Sequence, residues 1–320
     1  MLVKPHSVAA DFLISHYNCQ RPVDWDRQFQ RKAPLDLEVG FGMGEFLIRS
    51  ARQSPERNFV GIEYDGIRIK KTVRRIARIN EQASVQERLP NIRILQIDAQ
   101  VALERLFRPR SVARMACLFP CPWPKKRHVK HRLFSRDFLR LVNSRLGSRG
   151  FLHIVTDHEP YRDWILTQST GAGFQSESRV IRPGYDTKYE RKWVMAGQKK
   201  FYELVFRKKR HIKIPLRKDA RLKKYYLKEF PHPEFCFQDR TGDPAVIFKK
   251  IVFDKTSPSM RLYLVVAEKN LTQHVRIQAL PCPQGWEIAL DEGQPVLPTP
   301  GVARALREVY RQAKKKREFA

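Results

Sequence analysis

The chain has 320 residues, with 62 Lys and Arg against 33 Asp and Glu, so its formal net charge is +29 and its isoelectric point is about 10.3. This length allows one large domain and a smaller one, and the charge predicts an anionic partner, with nucleic acid favoured over a membrane surface. No stretch approaches the roughly 20 apolar residues of a membrane-spanning helix, and the first residues lack the apolar core of a signal peptide. The five scattered cysteines form no CxxC pair or Cys/His cluster, which excludes the usual zinc motifs and indicates reduced thiols in a cytoplasm.

The first clear strand pattern, Leu35–Val39, runs into three alternating glycines, and a helical pattern follows over 45–52. The glycines are Gly40, Gly42 and Gly44. Strand, glycine turn and helix in this order are the layout of a nucleotide site in an open α/β sheet. A glycine turn that serves only the packing of helix on strand is the structural alternative.

Two acids near this turn narrow the choice of ligand. The next strand pattern ends at Glu63, about 20 residues beyond the glycines, where an acid commonly binds a ribose. Glu45 stands where a dinucleotide motif has its last glycine, and an acid at a helix N-terminus repels a pyrophosphate. The pattern therefore argues against NAD and favours S-adenosylmethionine, which has a ribose and an adenine but no phosphate.

Acids also follow two later strand patterns. Asp98 ends the strand predicted over 91–97, and Asp157 follows the strand predicted over 151–155. Asp98 either lies near the adenine edge of the cofactor or caps the helix that follows, and Asp157 could also be a helix cap. Because the ends of parallel strands share one crevice in a doubly wound sheet, both acids are candidates for the same site.

Another strand pattern ends in a Pro-rich loop, Phe-Pro-Cys-Pro-Trp-Pro from Phe119, followed by a basic run to Arg132. Three alternating prolines exclude a helix or an inner strand and stiffen the loop. Five Lys or Arg residues and two His follow without an acid, which suits a folded polyanion held against a reactive centre. Its candidate site residues are Cys121, Lys125 and Arg127; the alternative is a connector with a solvated basic face.

The stretch 182–193 is rich in turn residues and aromatic residues, and we expect a loop there. Its hydroxyl and acid could face a nucleic-acid base, whereas a solvated loop without a site role is the alternative. The candidate residues are Thr187, Lys188, Tyr189 and Glu190.

Together these residues resemble the tRNA (guanine-N7) methyltransferase family of the bacterial TrmB type, over about residues 10–210. The resemblance rests on LEVGFGMGEF from Leu37, Gly-Ile-Glu ending at Glu63, Ile-Asp-Ala ending at Ala99, FPCPWPKKRH from Phe119, Thr156-Asp157, and Thr-Lys-Tyr-Glu from Thr187. PWPKKRH and TKYE together are a specific pair of signatures.

The resemblance implies a Rossmann-like class I methyltransferase fold, that is, a doubly wound, mostly parallel, seven-stranded sheet. It implies methyl transfer from S-adenosylmethionine to N7 of guanine 46 in the tRNA variable loop, without a metal, by a monomer or homodimer. The implied cofactor residues are Glu38, Gly40, Gly42, Gly44, Glu63, Asp98 and Cys121. The implied catalytic residues are Cys121, Asp157 and Glu190, and the implied substrate residues are Lys125, Arg127, Asp157, Thr187, Lys188, Tyr189 and Glu190.

One position departs from the family pattern. The family usually reads Phe-Pro-Asp-Pro-Trp, with that aspartate assigned as catalytic, and this chain has Cys121 there. Because Asp157 and Glu190 could still accept hydrogen bonds from guanine, we expect a slower enzyme rather than an inactive one. The alternatives are a non-catalytic tRNA-binding paralogue and a cytosine-C5 methyltransferase whose Cys121 thiolate attacks the base. N6-adenine methylation through a Pro-Pro-Trp-like loop has weaker support.

The end of the chain lies outside the resemblance. Residues 208–228 are strongly basic and indicate a linker or a basic helix. Strand patterns and a final helix pattern follow, at 246–253, 261–267, 275–280, 286–290 and 302–316. We therefore predict a methyltransferase domain over 1–210 and an accessory domain over 211–320, a small β-meander with a helix. It serves either as a second grip on tRNA or as a stabilising appendage.

Overall fold

The computed structural model describes residues 12–84, 87–230, 235–254, 256 and 258–315. The chain divides into two units, Met1–Arg217 and Lys218–Ala320. No helix within the described ranges is long and apolar enough to cross a membrane.

The first unit alternates strands and helices along the chain. In order, its elements are β1 (Leu13–Ile14), α1 (Trp25–Phe29), β2 (Leu35–Val39), α2 (Glu45–Gln53), β3 (Asn58–Glu63), α3 (Gly66–Gln82), β4 (Ile92–Gln96), α4 (Ala99–Arg105), β5 (Val112–Leu118), α5 (Arg136–Arg145), β6 (Leu146–Thr156), α6 (Glu159–Ser169), β7 (Phe174–Ile181), α7 (Lys188–Met195) and β8 (Phe201–Lys208).

These strands form one sheet in the order β1-β4-β3-β2-β5-β6-β8-β7. All neighbouring pairs are parallel except the two that involve β8, which runs antiparallel to β6 and to β7. The chain order reverses between β2 and β5, so a crevice opens at the carboxyl ends of these two strands. The sheet is therefore the doubly wound, Rossmann-like sheet that the sequence predicts.

Apolar side chains on both faces fix the middle of this sheet. Every residue of β2 is buried, as expected of a parallel strand covered on both sides. On α3 the buried positions Ile69, Val73 and Ile76 recur at helical spacing and share a core with residues of α2, β3 and β4. Burial of each such side chain contributes roughly 1.5–3 kcal/mol.

The sheet has eight strands rather than the predicted seven. The additional strand is β1, which pairs Leu13 with Ile94 and Ile14 with Leu95 of β4 at the edge of the sheet. Two residues are too few to show a strand period, so the sequence carries no strand signal there. The edge strand β7 also lacks an apolar pattern, because most of its side chains are exposed.

The first unit ends after Arg217 rather than at the predicted residue 210. Hydrogen bonds hold the intervening segment to the sheet domain: Ile212 N donates to Asn143 Oδ1 (2.8 Å) and Arg217 N donates to Glu104 O (2.9 Å). The fully buried Arg145 guanidinium donates to Ile214 O (2.8 Å) as well. These bonds to residues of α4 and α5 leave no signal in the local sequence.

The second unit is a five-stranded antiparallel sheet with one helix. Its elements are β9 (Tyr225–Leu227), β10 (Ala245–Asp254), β11 (Ser259–Glu268), β12 (Leu271–Cys282), β13 (Gly285–Leu290) and α8 (Pro300–Lys315), and the sheet order is β10-β11-β12-β13-β9. Buried residues of α8, including Val302, Leu306 and Val309, share a core with alternate residues of β11 and β12. The predicted meander and final helix are present, whereas residues 209–224 form no helix.

The contacts of Arg145 generate a prediction about truncation. A chain ended after Arg210 lacks the carbonyls of Ile214 and Pro215, and an unsatisfied buried polar group costs about 1–3 kcal/mol. We expect a chain ended after Arg217 to melt several degrees higher than one ended after Arg210, as measured by circular dichroism. When both truncated chains also carry Arg145→Met, the difference between their melting temperatures should be smaller, because no buried guanidinium then needs these carbonyls. Equal melting temperatures of the two fragments that retain Arg145 would contradict this interpretation.

Candidate active site

The carboxyl ends of β2, β3, β4, β5 and β6 bring the predicted site positions to one edge of the sheet. The glycine turn follows β2, Glu63 ends β3, and Asp98 follows β4. The Pro-rich loop follows β5, and Asp157 follows β6. Because these strands are parallel and adjacent, residues far apart in sequence line a single crevice.

The Glu63 carboxylate holds the glycine turn in place. Gly42 N donates to its Oε2 (3.0 Å), and Tyr64 N and Asp65 N donate to its Oε1 (2.8 and 3.1 Å). Gly40 has a φ of 71°, and nothing lies within 4 Å of the point where a Cβ would be. The turn is thus preorganised, with open space beside Gly40 for a ligand.

Glu38 is an acid of this crevice with a buried oxygen that lacks a hydrogen bond from any described residue. Its side chain is buried, and its Oε2 accepts no hydrogen bond from the part of the chain that the structure describes. Burial raises the pKa of this carboxyl to about 8, although the nearby Arg49 cation acts in the opposite direction. An unpartnered buried acceptor suits a cationic ligand such as the ammonium of the predicted S-adenosylmethionine.

Asp98 is a helix cap, which was one of its two predicted roles. Its Oδ1 accepts from Gln100 N (2.8 Å) and Val101 N (3.0 Å) at the start of α4. Burial raises the pKa of the Asp98 carboxyl. The contact with adenine that the family resemblance implies stays a prediction.

The Pro-rich loop is held rigidly by contacts of its own. Arg132 Nε donates to Pro122 O (2.8 Å), and the Trp123 ring lies 5.2 Å from the ring of His131, centroid to centroid. A short 3₁₀ helix, Lys126–His131, carries most of the basic run. Cys121, Lys125 and Arg127 are exposed, so this loop presents a thiol and several cations to solvent.

The predicted loop over 182–193 is a loop only in its first part, because α7 begins at Lys188. Thr187 caps the helix by accepting from Glu190 N (3.2 Å), as in a capping box. The Glu190 carboxylate is buried and accepts from Gly184 N (2.9 Å), Tyr185 N (3.1 Å) and Asp186 N (2.5 Å). The Thr187 and Glu190 side chains of the TKYE signature therefore stabilise the start of α7 and the loop before it.

These contacts bear on the role predicted for Glu190. Both of its oxygens accept from backbone N–H groups of its own loop, so it holds that loop in place. The catalytic and substrate-binding roles predicted for Glu190 stay predictions. Asp157 is half-buried, and burial raises the pKa of its carboxyl. Within the described residues, the Asp157 carboxylate has no hydrogen bond to another residue, which leaves it free to accept from a ligand.

Glu45 joins the cofactor turn to α7, and the sequence did not reveal this role. Glu45 is the first residue of α2; its Oε2 accepts from Lys188 N (3.0 Å), and its Oε1 accepts from Arg191 Nη2 (2.6 Å). Beside this pair the Tyr189 ring lies 3.3 Å from the point where a Cβ on Gly42 would be. The sequence predicted only that the Glu45 carboxylate repels a pyrophosphate.

A buried polar cluster behind the loop was also missed. Tyr185 Oη donates to Glu203 Oε1 (2.7 Å) and lies 3.1 Å from His153 Nε2. Arg179 donates to the same carboxylate, and Arg49 donates to Tyr185 O. The cluster ties the loop to β6 and β8, which are far from it in sequence.

The sheet, the glycine turn and the acids at the ends of β3, β4 and β6 define a Rossmann-like methyltransferase that uses S-adenosylmethionine. A family model described as "Putative methyltransferase" matches residues 32–203, more than half of the chain. Curated relatives narrow the class, and by these matches the chain belongs to the tRNA (guanine-N(7)-)-methyltransferase family.

Three relatives, each named tRNA (guanine-N(7)-)-methyltransferase, illustrate the similarity. The protein of Chlorobium phaeobacteroides is 42% identical over 178 residues, which cover 56% of this chain and 83% of that protein. That of Thermotoga maritima is 36% identical over 198 residues, 61% of each chain. That of Coprothermobacter proteolyticus is 30% identical over 319 residues, 94% of this chain and 90% of that protein, so this match extends into the second unit.

The raised pKa of Glu38 predicts how stability depends on pH in the cofactor-free protein. Because the folded pKa of about 8 lies above the ordinary value of 4.5, the folded protein keeps a proton that the unfolded chain releases. The free energy of unfolding should therefore fall as pH rises from about 4.5 to about 8. The free energy of unfolding can be measured with urea at pH 5 and pH 8 for the wild type and Glu38→Gln. Relative to the wild type, Glu38→Gln should be more stable at pH 8 than at pH 5. The exposed Glu81→Gln is the matched control, and an unchanged pH dependence in Glu38→Gln would contradict the assignment.

Proposed function

We propose that this chain transfers a methyl group from S-adenosylmethionine to N7 of guanine 46 in the variable loop of tRNA. The observation that carries the proposal is the arrangement of Asp157, a carboxylate with free acceptor capacity, at the same sheet edge as the glycine turn and the exposed basic loop. The names of the relatives and the charge of +29 support a tRNA substrate.

The residues that would hold the cofactor are those around the glycine turn. Glu38 has the unpartnered oxygen for an ammonium, and Glu63 retains lone pairs for ribose hydroxyls after accepting its backbone bonds. Asp98 has one carboxylate oxygen engaged in capping α4, which leaves the other for the adenine edge. Bound there, S-adenosylmethionine supplies an electrophilic methyl group on a sulfonium.

The protein's task at the base is mainly one of placement. N7 of neutral guanine carries a lone pair, so no proton has to be removed before attack. Positive charge moves onto the guanine, and an acceptor at its N–H edge stabilises that charge. Asp157 has the free carboxylate for this bond, whereas Glu190 and Thr187 shape the loop beside it. Positioning of the two reactants can account for about 7–11 kcal/mol of the barrier.

The exposed cations of the Pro-rich loop suit the phosphates around the target base. Lys125 and Arg127 are exposed beside the crevice, and the 3₁₀ helix adds Lys126 and Lys130. Because the loop is held by Arg132 and Trp123, it would bind tRNA without a large ordering cost. We further propose that the protein works in the cytoplasm, as a monomer or homodimer.

The test is methyl transfer with purified protein, labelled cofactor and an unmodified tRNA transcript, followed by nucleoside analysis. The proposal predicts label in 7-methylguanosine, and none from a transcript in which guanine 46 is replaced by adenine. Binding of tRNA without label would instead identify a non-catalytic paralogue. Label in 5-methylcytosine would identify the thiolate mechanism at Cys121.

Substitutions at Cys121 test what this chain loses by having no carboxylate at the position where the family resemblance implies a catalytic aspartate. The sulfur accepts hydrogen bonds only weakly, so Cys121→Asp should restore a strong acceptor and raise kcat by roughly 10²–10³, the effect of one preorganised partner. Cys121→Ser should change kcat by less than about tenfold, because no covalent role is assigned to the thiol. Single-turnover rates with saturating tRNA measure both variants. A complete loss of activity in Cys121→Ser would contradict the proposal that the thiol has no covalent role.

A further inference from the structure

The outer surface of α3 carries a row of cations that the candidate site does not use. Five residues form this row, which we call the α3 basic face: Lys70, Lys71, Arg74, Arg75 and Arg78, all exposed. No acid occurs in the sequence between Asp65 and Glu81. The face extends over about 12 Å along the helix axis, a length over which a nucleic-acid strand carries several phosphates.

The packing of α3 on the core determines that this face of the helix points to solvent. Ile69, Val73 and Ile76 are 3%, 6% and 0% exposed, so the opposite side of α3 is locked into the core. None of the five cations has a hydrogen bond or an ion pair with any residue that the structure describes. Arg68, at the start of the helix, does pair with Glu63 and Asp65. The basic face therefore has no ion pairs within the described residues, and Lys71 interacts with the Asp65 carboxylate only through space.

This arrangement is unfavourable for the isolated protein. Lys70 and Arg74, Lys71 and Arg75, and Arg74 and Arg78 are four residues apart, and like charges at this spacing repel each other on a helix. A polyanion laid along the face would relieve this repulsion, because its phosphates compensate the cations.

The face lies next to the cofactor turn. Thr72, on the inner side of α3, occupies the space that a Cβ on Gly44 would need, so the helix packs directly against the turn. At the start of α3 the Arg68 guanidinium lies 5.6 Å from the centre of the Tyr189 ring. The start of α3 therefore lies beside the crevice, and the basic face begins about one helical turn further along the helix.

We propose that the α3 basic face binds the phosphodiester backbone of the tRNA body while the target guanine occupies the crevice. The inference rests on the proposed function and extends it to a second contact surface, outside the Pro-rich loop and the TKYE segment. An anionic membrane is the other polyanionic surface in a cell. A basic helix on a membrane inserts its apolar face, however, and in α3 that face is buried in the core.

The test compares two triple variants of the full chain. Arg74→Gln/Arg75→Gln/Arg78→Gln removes three charges of the face with a residue of similar helix propensity. The control, Arg108→Gln/Arg110→Gln/Arg149→Gln, removes three exposed charges from the opposite, amino-terminal edge of the sheet. Binding of an unmodified tRNA transcript is measured by filter binding between 50 and 300 mM salt, and binding of S-adenosylmethionine by calorimetry.

We expect the α3 variant to bind tRNA at least roughly tenfold more weakly at 100 mM salt. Its salt slope should fall by about 1 for each phosphate that the variant no longer neutralises. Cofactor affinity should stay the same, and the melting temperature should be unchanged or higher, because the like-charge repulsion is gone. The control variant should keep the tRNA affinity of the wild type to within about threefold.

Equal tRNA affinity and salt slope in the α3 variant and the control would overturn the inference. So would binding to vesicles of anionic phospholipid that is lost in the α3 variant while tRNA binding is retained. The comparison measures binding and not turnover, so it gives its answer even if the wild type proves not to methylate guanine. Failure of the proposed function and failure of this inference are therefore distinguishable.

Discussion

The site depends on contacts that join the helix after the glycine turn to the segment around α7, and the Glu45 carboxylate makes two of them while Arg49 donates to Tyr185 O. Glu45 begins the helix after the glycine turn and accepts hydrogen bonds from Lys188 N and the Arg191 guanidinium at the start of α7. Beside these bonds the Tyr189 ring packs against Gly42, so the glycine turn is held against the start of α7, the segment for which we propose a role in substrate binding. A methyl transfer needs both reactants in line, and this clamp holds the two binding segments in a fixed relation.

The acids of the crevice divide into two groups according to what they bond. Glu63, Asp98 and Glu190 accept from backbone N–H groups and fix the glycine turn, α4 and the substrate loop. Glu38 and Asp157 keep acceptor capacity, and burial raises the pKa of both carboxyls. The first group builds the crevice with part of its acceptor capacity, and the second keeps acceptors that no other described residue occupies. Cys121 is exposed and stands outside both groups, so neither the bonds that build the crevice nor the free acceptors involve it.

Much of the fold follows from local sequence pattern, because strands β2 to β6 and helix α3 are long apolar or amphipathic segments bounded by glycines, prolines and caps. The glycine turn and the acids at the strand ends were predictable for the same reason. The clamp by Glu45 was not, since its partners lie 143 and 146 residues away. The helix from Lys188 was missed because its start is set by the Thr187 cap and by the bonds of Glu190 to its own loop. The attachment of residues 212–217 to the first unit was not predictable either, because it depends on bonds to Asn143, Arg145 and Glu104, which are distant in sequence.

Amide hydrogen–deuterium exchange of the segment 183–191, in Glu45→Ala beside the wild type and an exposed Glu81→Ala control, tests most directly whether the cofactor turn and the substrate segment form one unit. Loss of the Glu45 carboxylate should speed exchange at Lys188 and at the amides of 184–186, while Glu81→Ala matches the wild type. Identical exchange in all three proteins would contradict the coupling on which the site depends.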